Sequence, residues 1–150
     1  MARFTHPPFG DVGGLTTNIT NFNTTWSGTG LTYTNNPITT STYIKIGNFV
    51  LVQYDVSCAN VTNFGTGQYS LTLPFQSKYH TDVFGGSIHD VNPSGTDHYS
   101  IKGHLTANSN TVTIWDIGSS GKDEQFDHNS PFVLTTEDKF HMSFTYICND

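Results

Sequence analysis

Histidine is the residue type here best suited to chemistry, because each of its seven copies can bind a metal or change charge near neutral pH. A metal site needs three or four converging ligands. The histidines instead fall into scattered groups, with no His-x-His or HExxH spacing: His80 with Asp82, His98 with His104, and His128 with Asp127, Asp123 and Glu124. We therefore predict ordinary solvent-facing histidines and no metal or cofactor. The alternatives are a metal at a subunit interface or a histidine-based pH switch.

Catalytic patterns are equally sparse. No G-x-S-x-G motif is present, and neither serine nor cysteine has a recognisable activating neighbour. The only two glutamates, Glu124 and Glu137, lie in turn-like segments. Paired carboxylates for glycoside hydrolysis would meet only in space. The sequence predicts no catalytic residues and no enzyme, with a small sandwich-fold glycan hydrolase as the weaker alternative.

The elements that must position these side chains are predicted to be strands. Charged residues make up only 12% of the chain, whereas Thr, Asn, Ser and Gly are abundant and suit sheets and turns. No window shows the 3.6-residue period of a helix. About eight strands at regular spacing predict an all-β, antiparallel β-sandwich, jelly-roll-like domain. An immunoglobulin-like sandwich is the alternative, without the Cys…Trp…Cys pattern that supports it.

The clearest predicted element is a hairpin over Tyr43–Ser57. Its turn is Gly47–Asn48, since Gly and Asn tolerate positive φ. In the second arm Val50, Val52, Tyr54 and Val56 alternate with polar residues, so one face is expected to be buried. Ile44 and Ile46 are expected to supply the corresponding face of the first arm. Further strands are predicted over Gln68–Leu73, Tyr79–Asp90 with a bulge at Gly85–Gly86, Asp97–Ala107, Thr111–Ile117, Phe132–Leu134 and Lys139–Cys148.

Residues 1–40 differ from the rest of the chain and are predicted to be an irregular N-terminal arm before a sandwich domain over 41–150. Prolines and glycines interrupt its start, and a Thr/Asn-rich stretch follows. The arm carries more large apolar side chains than a solvated tail would. One hypothesis packs it on its own domain. The other docks it on a neighbouring subunit or a capsid, with four anchors: Phe4, Phe9, Phe22 and Trp26.

Charge and hydropathy exclude several classes of partner. The net charge is −6 with no basic run, which disfavours nucleic acid and anionic membranes. No apolar segment reaches the ~18 residues of a membrane-spanning helix. The N-terminal segment lacks the apolar run of a signal peptide, so synthesis in a cytoplasm is expected. In that reducing compartment Cys58 and Cys148 are expected to be free thiols, with a disulfide as the alternative.

Two strings resemble a pattern found in small tailed-bacteriophage structural proteins. They are YIKIGNFVLVQYDVS at Tyr43–Ser57 and GTGQYSLTLPF at Gly65–Phe75. In that family a Y-x-K-I-G-N hairpin is followed by G-x-x-x-L-x-L-P-F. The resemblance implies a virion protein, usually a homotrimer, that serves either in head decoration (cement) or at a fibre tip.

The absence of heptads before the predicted domain favours decoration over a fibre. The expected function is a non-enzymatic capsid decoration protein that binds the major capsid protein and stabilises the assembled head. The alternative is a tail-fibre tip or lectin-like module that binds a host-surface glycan. Its ligand loops would be Asp90–Thr96 and Gly118–Ser130, with Trp115, Asp123 and Phe126 as contacts.

Overall fold

The computed structural model describes residues 18–92, 94–118 and 122–149, so the predicted anchors Phe4 and Phe9 lie outside the described residues. No α-helix occurs within those ranges, as predicted. One short 3-10 helix spans Cys58–Asn60. The strands are β1 (Thr20–Asn21), β2 (Trp26–Thr29), β3 (Thr32–Tyr33), β4 (Ile38–Ile46), β5 (Phe49–Ser57), β6 (Val61–Asn63), β7 (Thr66–Thr72), β8 (Thr81–Asn92), β9 (Gly95–Leu105), β10 (Thr111–Ile117), β11 (Asp123–Gln125) and β12 (Lys139–Ile147).

Nearly all of these strands belong to one antiparallel sheet. Its order is β1-β4-β5-β12-β8-β9-β10-β7-β2, with β11 added to β10, while β3 and β6 form a separate ribbon. The sheet curls around a single core. Trp26 on β2 therefore meets Phe140 on β12 edge-on, with 5.3 Å between ring centroids. The predicted all-β, antiparallel, sandwich-like fold is confirmed.

The hairpin of β4 and β5 has the predicted turn, and Gly47 there has a φ of 58°. The predicted buried face of β5 is also confirmed, because Val50, Val52, Tyr54 and Val56 are all buried. Strand β5 then pairs with β12 along its whole length, from Phe49 opposite Ile147 to Ser57 opposite Lys139. Strands β5 and β12 each contribute four buried side chains to the core.

The prediction for the first arm of the hairpin is wrong. Ile46 lies opposite Phe49 and Ile44 lies opposite Leu51. Directly opposed residues in an antiparallel pair share a face, so both isoleucines lie on the outer face, away from Val50 and Val52. Tyr43, opposite Val52, and Ile38, at the start of β4, pack against the core instead.

Two buried tyrosine hydroxyls in the core find partners within the chain, whereas the indole nitrogen of Trp26 has none among the described residues. The Tyr54 hydroxyl donates to the Thr72 carbonyl at 3.0 Å, and the Tyr146 hydroxyl donates to the Phe75 carbonyl at 2.9 Å. Such bonds offset the cost of burying a hydroxyl. The two cysteines, Cys58 and Cys148, are buried and free, as predicted. Burial, with a smaller contribution from the charge of Asp138, raises the pKa of Cys58 to about 12.

The segment predicted as an arm contributes strands to the sheet. Strand β1 pairs with β4, and β2 pairs with β7. Since β4 spans residue 40, the predicted boundary between arm and domain falls inside a strand. Trp26 packs in the core against Tyr69, with ring centroids 5.0 Å apart. Residues 20–37 are thus part of the same folded unit as the rest of the sheet.

A β-bulge at Gly85 bends the long strand β8, as predicted. The register with β9 shifts between Phe84 and Gly86, and Gly85 has a φ of 131°. A Cβ atom at Gly85 would overlap the carbonyl oxygen of Ser143 on β12. The bend therefore requires both the backbone freedom of glycine and its missing side chain.

Replacing this glycine should test that requirement. We expect Gly85→Ala to lower the free energy of unfolding by about 3 kcal/mol, because the methyl group meets backbone that cannot rotate away. The matched control is Gly47→Ala, which also has positive φ but has open space around its Cβ, so it should cost about 1 kcal/mol. Equal losses in a denaturant titration of the two variants would show that the contact with Ser143 is unimportant.

Candidate functional site

The outer face of the hairpin and β12 is apolar at one end. Cross-strand pairing places Phe49 between Ile46 and Ile147 in one row, and Leu51 between Ile44 and Thr145 in the next. Farther along the same strands the rows become polar and then charged: Thr42, Gln53 and Ser143, followed by Thr40, Asp55 and His141. The apolar residues thus cluster near the Gly47–Asn48 turn.

These residues are exposed to solvent. We define the hairpin face as Ile19, Ile44, Ile46, Phe49, Leu51 and Ile147. Five of the six are between 36% and 71% exposed; Ile44 is half-buried. A shallow groove of about 160 Å³ runs between Ile19, Ile44 and Leu51. Contiguous exposed apolar surface on a folded domain is typical of a protein interaction site.

Sequence reasoning missed this surface, although the sequence contained an indication of it. The run Phe49–Val52 has four consecutive apolar residues. In a strand with one solvent-exposed face, apolar and polar residues alternate. A continuous apolar run is instead typical of a strand that is covered on both faces. From Val52 to Ser57 apolar and polar residues alternate. That alternation predicts one buried face and gives no indication of the apolar surface on the other face.

The predicted anchors of the arm that fall within the described residues face the core. Trp26 is 1% exposed. Phe22 packs edge-on against Tyr43 and Tyr54, with centroid distances of 5.9 Å and 5.7 Å. Trp26 is thus part of the core, and Phe22 is partly buried against it.

The predicted ligand loop residues are separated by the fold. Phe126 is fully buried against Tyr69 and Phe140. Trp115 lies half-buried on the outer face of β10, opposite Lys102. Asp123 is engaged in an ion pair, with 2.7 Å between its carboxylate and the Lys102 ammonium. The three side chains therefore do not form one site.

Lys102 is the centre of a compact ionic network on the outer face. Besides Asp123, its ammonium contacts Asp82 at 2.8 Å, and Asp82 also contacts the ring of His104 at 2.7 Å. The hydrogen bonds that Lys102 donates to Asp123 and then to Asp82 raise the pKa of Lys102. Hydrogen bonds from Lys102 and then from His104 lower the pKa of Asp82. Because the charged groups of this network are paired with one another, we infer that the network has a structural role.

Three histidines meet on neighbouring strands, which the sequence did not predict. We define the histidine cluster as His89 on β8, His98 on β9 and His141 on β12. The ring centroids of His89 and His98 are 4.3 Å apart, and those of His89 and His141 are 5.3 Å apart. The Ser87 hydroxyl lies 3.2 Å from His89 and 3.3 Å from His141. Burial, followed by repulsion from His98, His141 and Lys139, lowers the pKa of His89.

The histidine cluster should make folding sensitive to acid. A histidine whose pKa is lowered by folding is protonated more readily in the unfolded state, so stability falls as the pH drops from the ordinary histidine range towards the lowered pKa. We expect His89→Gln to reduce this loss when thermal unfolding is compared at pH 7 and pH 5. His80→Gln, outside the cluster, should leave the wild-type loss unchanged. An identical pH response in both variants would contradict the assignment to His89.

A polar pocket of about 480 Å³ opens where β9, β10 and β11 meet the loop after β11. We call it the acidic pocket. Asp116 and Glu124 lie directly opposite each other in its wall, on paired strands. Asp116 is only 4% exposed. The other lining residues are His98, Tyr99, Ser100, Ile117, Gly118, Asn129, Ser130 and Pro131.

The described residues contain no group of three or more His, Cys, Asp or Glu side chains arranged to hold a metal ion. No helix among them is both long and apolar enough to cross a membrane. No protein-family model, curated protein or solved structure matches the chain. Functional inference therefore depends on the hairpin face, the histidine cluster and the acidic pocket.

Proposed function

We propose that this chain is a non-enzymatic structural protein of a bacteriophage virion that decorates the assembled head. The observation that carries the proposal is the hairpin face. Four of its residues, Ile44, Ile46, Phe49 and Leu51, lie within the string that resembles phage virion proteins. The motif and the unpartnered apolar surface are thus the same part of the molecule.

The hairpin face is suited to adhesion rather than to chemistry. It is a broad row of aliphatic and aromatic side chains without a titratable group among them. Covering such a surface is favourable by about 25 cal/mol for each Å² of apolar area removed from water. Charge depletion at the centre of the patch, with polar residues beyond it, is also the usual arrangement of a protein interface.

The proposed mechanism is binding by mass action. A protein that binds only the assembled shell stabilises that shell by its binding free energy. Three copies joined as a homotrimer would bind the major capsid protein with higher avidity than a single copy. In this proposal the contacts with capsid or subunit are made by the hairpin face instead of by Phe22 and Trp26.

A charge introduced into the hairpin face should prevent head binding. We expect Leu51→Glu to reduce affinity for heads lacking this protein at least about tenfold, because the carboxylate would be buried without a partner. The control is Val133→Glu, at an exposed apolar residue outside the hairpin face, which should bind as the wild type does. Both variants should retain the wild-type thermal transition. Full binding by folded Leu51→Glu in a co-sedimentation assay would refute the proposed contact.

Host-surface recognition is the second candidate function. The observation that favours it is the acidic pocket, whose lining residues Gly118, Glu124, Asn129 and Ser130 belong to the loop region predicted to bind a host ligand. In this alternative the protein would act at a fibre tip, and the hairpin face would join its subunits.

Antibody labelling of intact virions, viewed by electron microscopy, separates the two candidates. We expect label over the whole head surface, as decoration of a repeating lattice requires. Label confined to the tail would support host recognition instead. Particles without label would contradict both virion proposals.

A further inference from the structure

The acidic pocket brings together two carboxylates whose charges the described lining residues do not neutralise. Asp116 and Glu124 are a directly opposed cross-strand pair, and like charges in that arrangement destabilise a sheet. Burial, and then repulsion from Glu124, raises the pKa of Asp116. No lysine or arginine is among the described residues that line the pocket.

Asp116 also has no hydrogen-bond donor among the described side chains and backbone groups. Glu124, by contrast, accepts a hydrogen bond from the Ser130 hydroxyl at 3.3 Å. Burying a carboxylate without such a donor is costly, and only 4% of the Asp116 residue is exposed. The charged groups of the ionic network on the outer face, by contrast, are paired, as the contacts of Lys102 with Asp82 and Asp123 show.

The loop beside the pocket is held in place before any ligand arrives. The Asp127 carboxylate accepts hydrogen bonds from the backbone N–H groups of Asn129 and Ser130, at 2.8 Å and 3.1 Å. The ring of Tyr99 is fixed against Phe132, with centroids 5.1 Å apart. A ligand would therefore meet polar groups whose positions are already set, which reduces the entropy lost on binding.

We propose that the acidic pocket binds an organic cation, an ammonium or guanidinium group, between Asp116 and Glu124. Such a group would supply the missing donors and neutralise the opposed carboxylates, and charge-assisted hydrogen bonds are about twice as strong as neutral ones. The volume of about 480 Å³ lies in the range of small-molecule sites, about 300–1,000 Å³. It is far larger than a bare metal ion needs, and the two carboxylates are too few ligands for one.

Titration with a matched pair of small probes tests this assignment. Propylguanidinium should shift the backbone amide resonances of Asp116–Gly118 and Glu124 in nuclear magnetic resonance spectra of the full chain. Propylurea, which has the same shape without the charge, should not. The affinity for propylguanidinium should fall as the pH is lowered, since protonation of Asp116 removes the charge that binds the probe.

Substitutions in the pocket give the second arm of the test. Asp116→Asn should weaken propylguanidinium binding about tenfold, and Glu124→Gln should weaken it about threefold, because each removes one charge-assisted contact. Asp55→Asn, which removes a carboxylate on the outer face of β5, should bind as the wild type does. Glu124 is exposed, so Glu124→Gln provides a folded variant even if Asp116→Asn is misfolded.

Two sources could supply the cation, and a peptide distinguishes them. A neutral-flanked peptide with one internal arginine should bind more tightly than propylguanidinium if the natural ligand is a side chain of a partner protein. Equal binding would indicate a free small amine or guanidine. Three results would overturn the proposal. They are binding of propylurea as strong as that of propylguanidinium, the absence of resonance shifts with both propylguanidinium and the arginine peptide, and unchanged propylguanidinium binding by Glu124→Gln.

Discussion

Strand β5 carries apolar side chains on both of its faces, and only one of those faces lies in the core. Its register is fixed along its full length, by β4 on one side and β12 on the other. A shift by one residue would expose Val50 and Val52 and bury Phe49 and Leu51 in their place. The apolar outer surface is therefore a permanent feature of the fold. It follows from the same pairing that builds the core, and it leaves this end of the sheet suited to contact with another protein.

The two ends of β12 lie in surfaces of different chemistry. Ile147, at one end, belongs to the hairpin face, while Lys139, at the other, lies opposite His89 in the histidine cluster. His98 connects that cluster to the acidic pocket, whose wall it lines. The hairpin face, on β4, β5 and β12, and the acidic pocket, on β9, β10 and β11, are thus formed by different strands of one continuous sheet.

Local sequence features predicted most of the long strands, the Gly47–Asn48 turn, the buried face of β5 and the bulge at Gly85, since each depends on residues adjacent in the chain. The strand predicted over Phe132–Leu134 is wrong, because that segment is irregular in the structure, and the short strands β1, β2, β3, β6 and β11 were not predicted. Long-range pairing was not accessible in the same way. Trp26 lies in a Thr/Asn-rich segment, yet it enters the core because β2 pairs with β7. The opposition of Asp116 and Glu124 likewise depends on how β11 returns along β10. No spacing in the chain indicates such a pair, because strand register is settled by the whole core.

We propose that the hairpin face is covered when the protein is bound to a virion. Hydroxyl-radical footprinting of the isolated protein and of intact particles tests this directly, because it oxidises side chains in proportion to their exposure to water. The account predicts that Phe49, Leu51 and Ile147 are oxidised in the isolated protein and protected in the particle. Val133, an exposed apolar residue outside the face, should be oxidised equally in both. Equal oxidation of Phe49 and Leu51 in the two samples would contradict the claim.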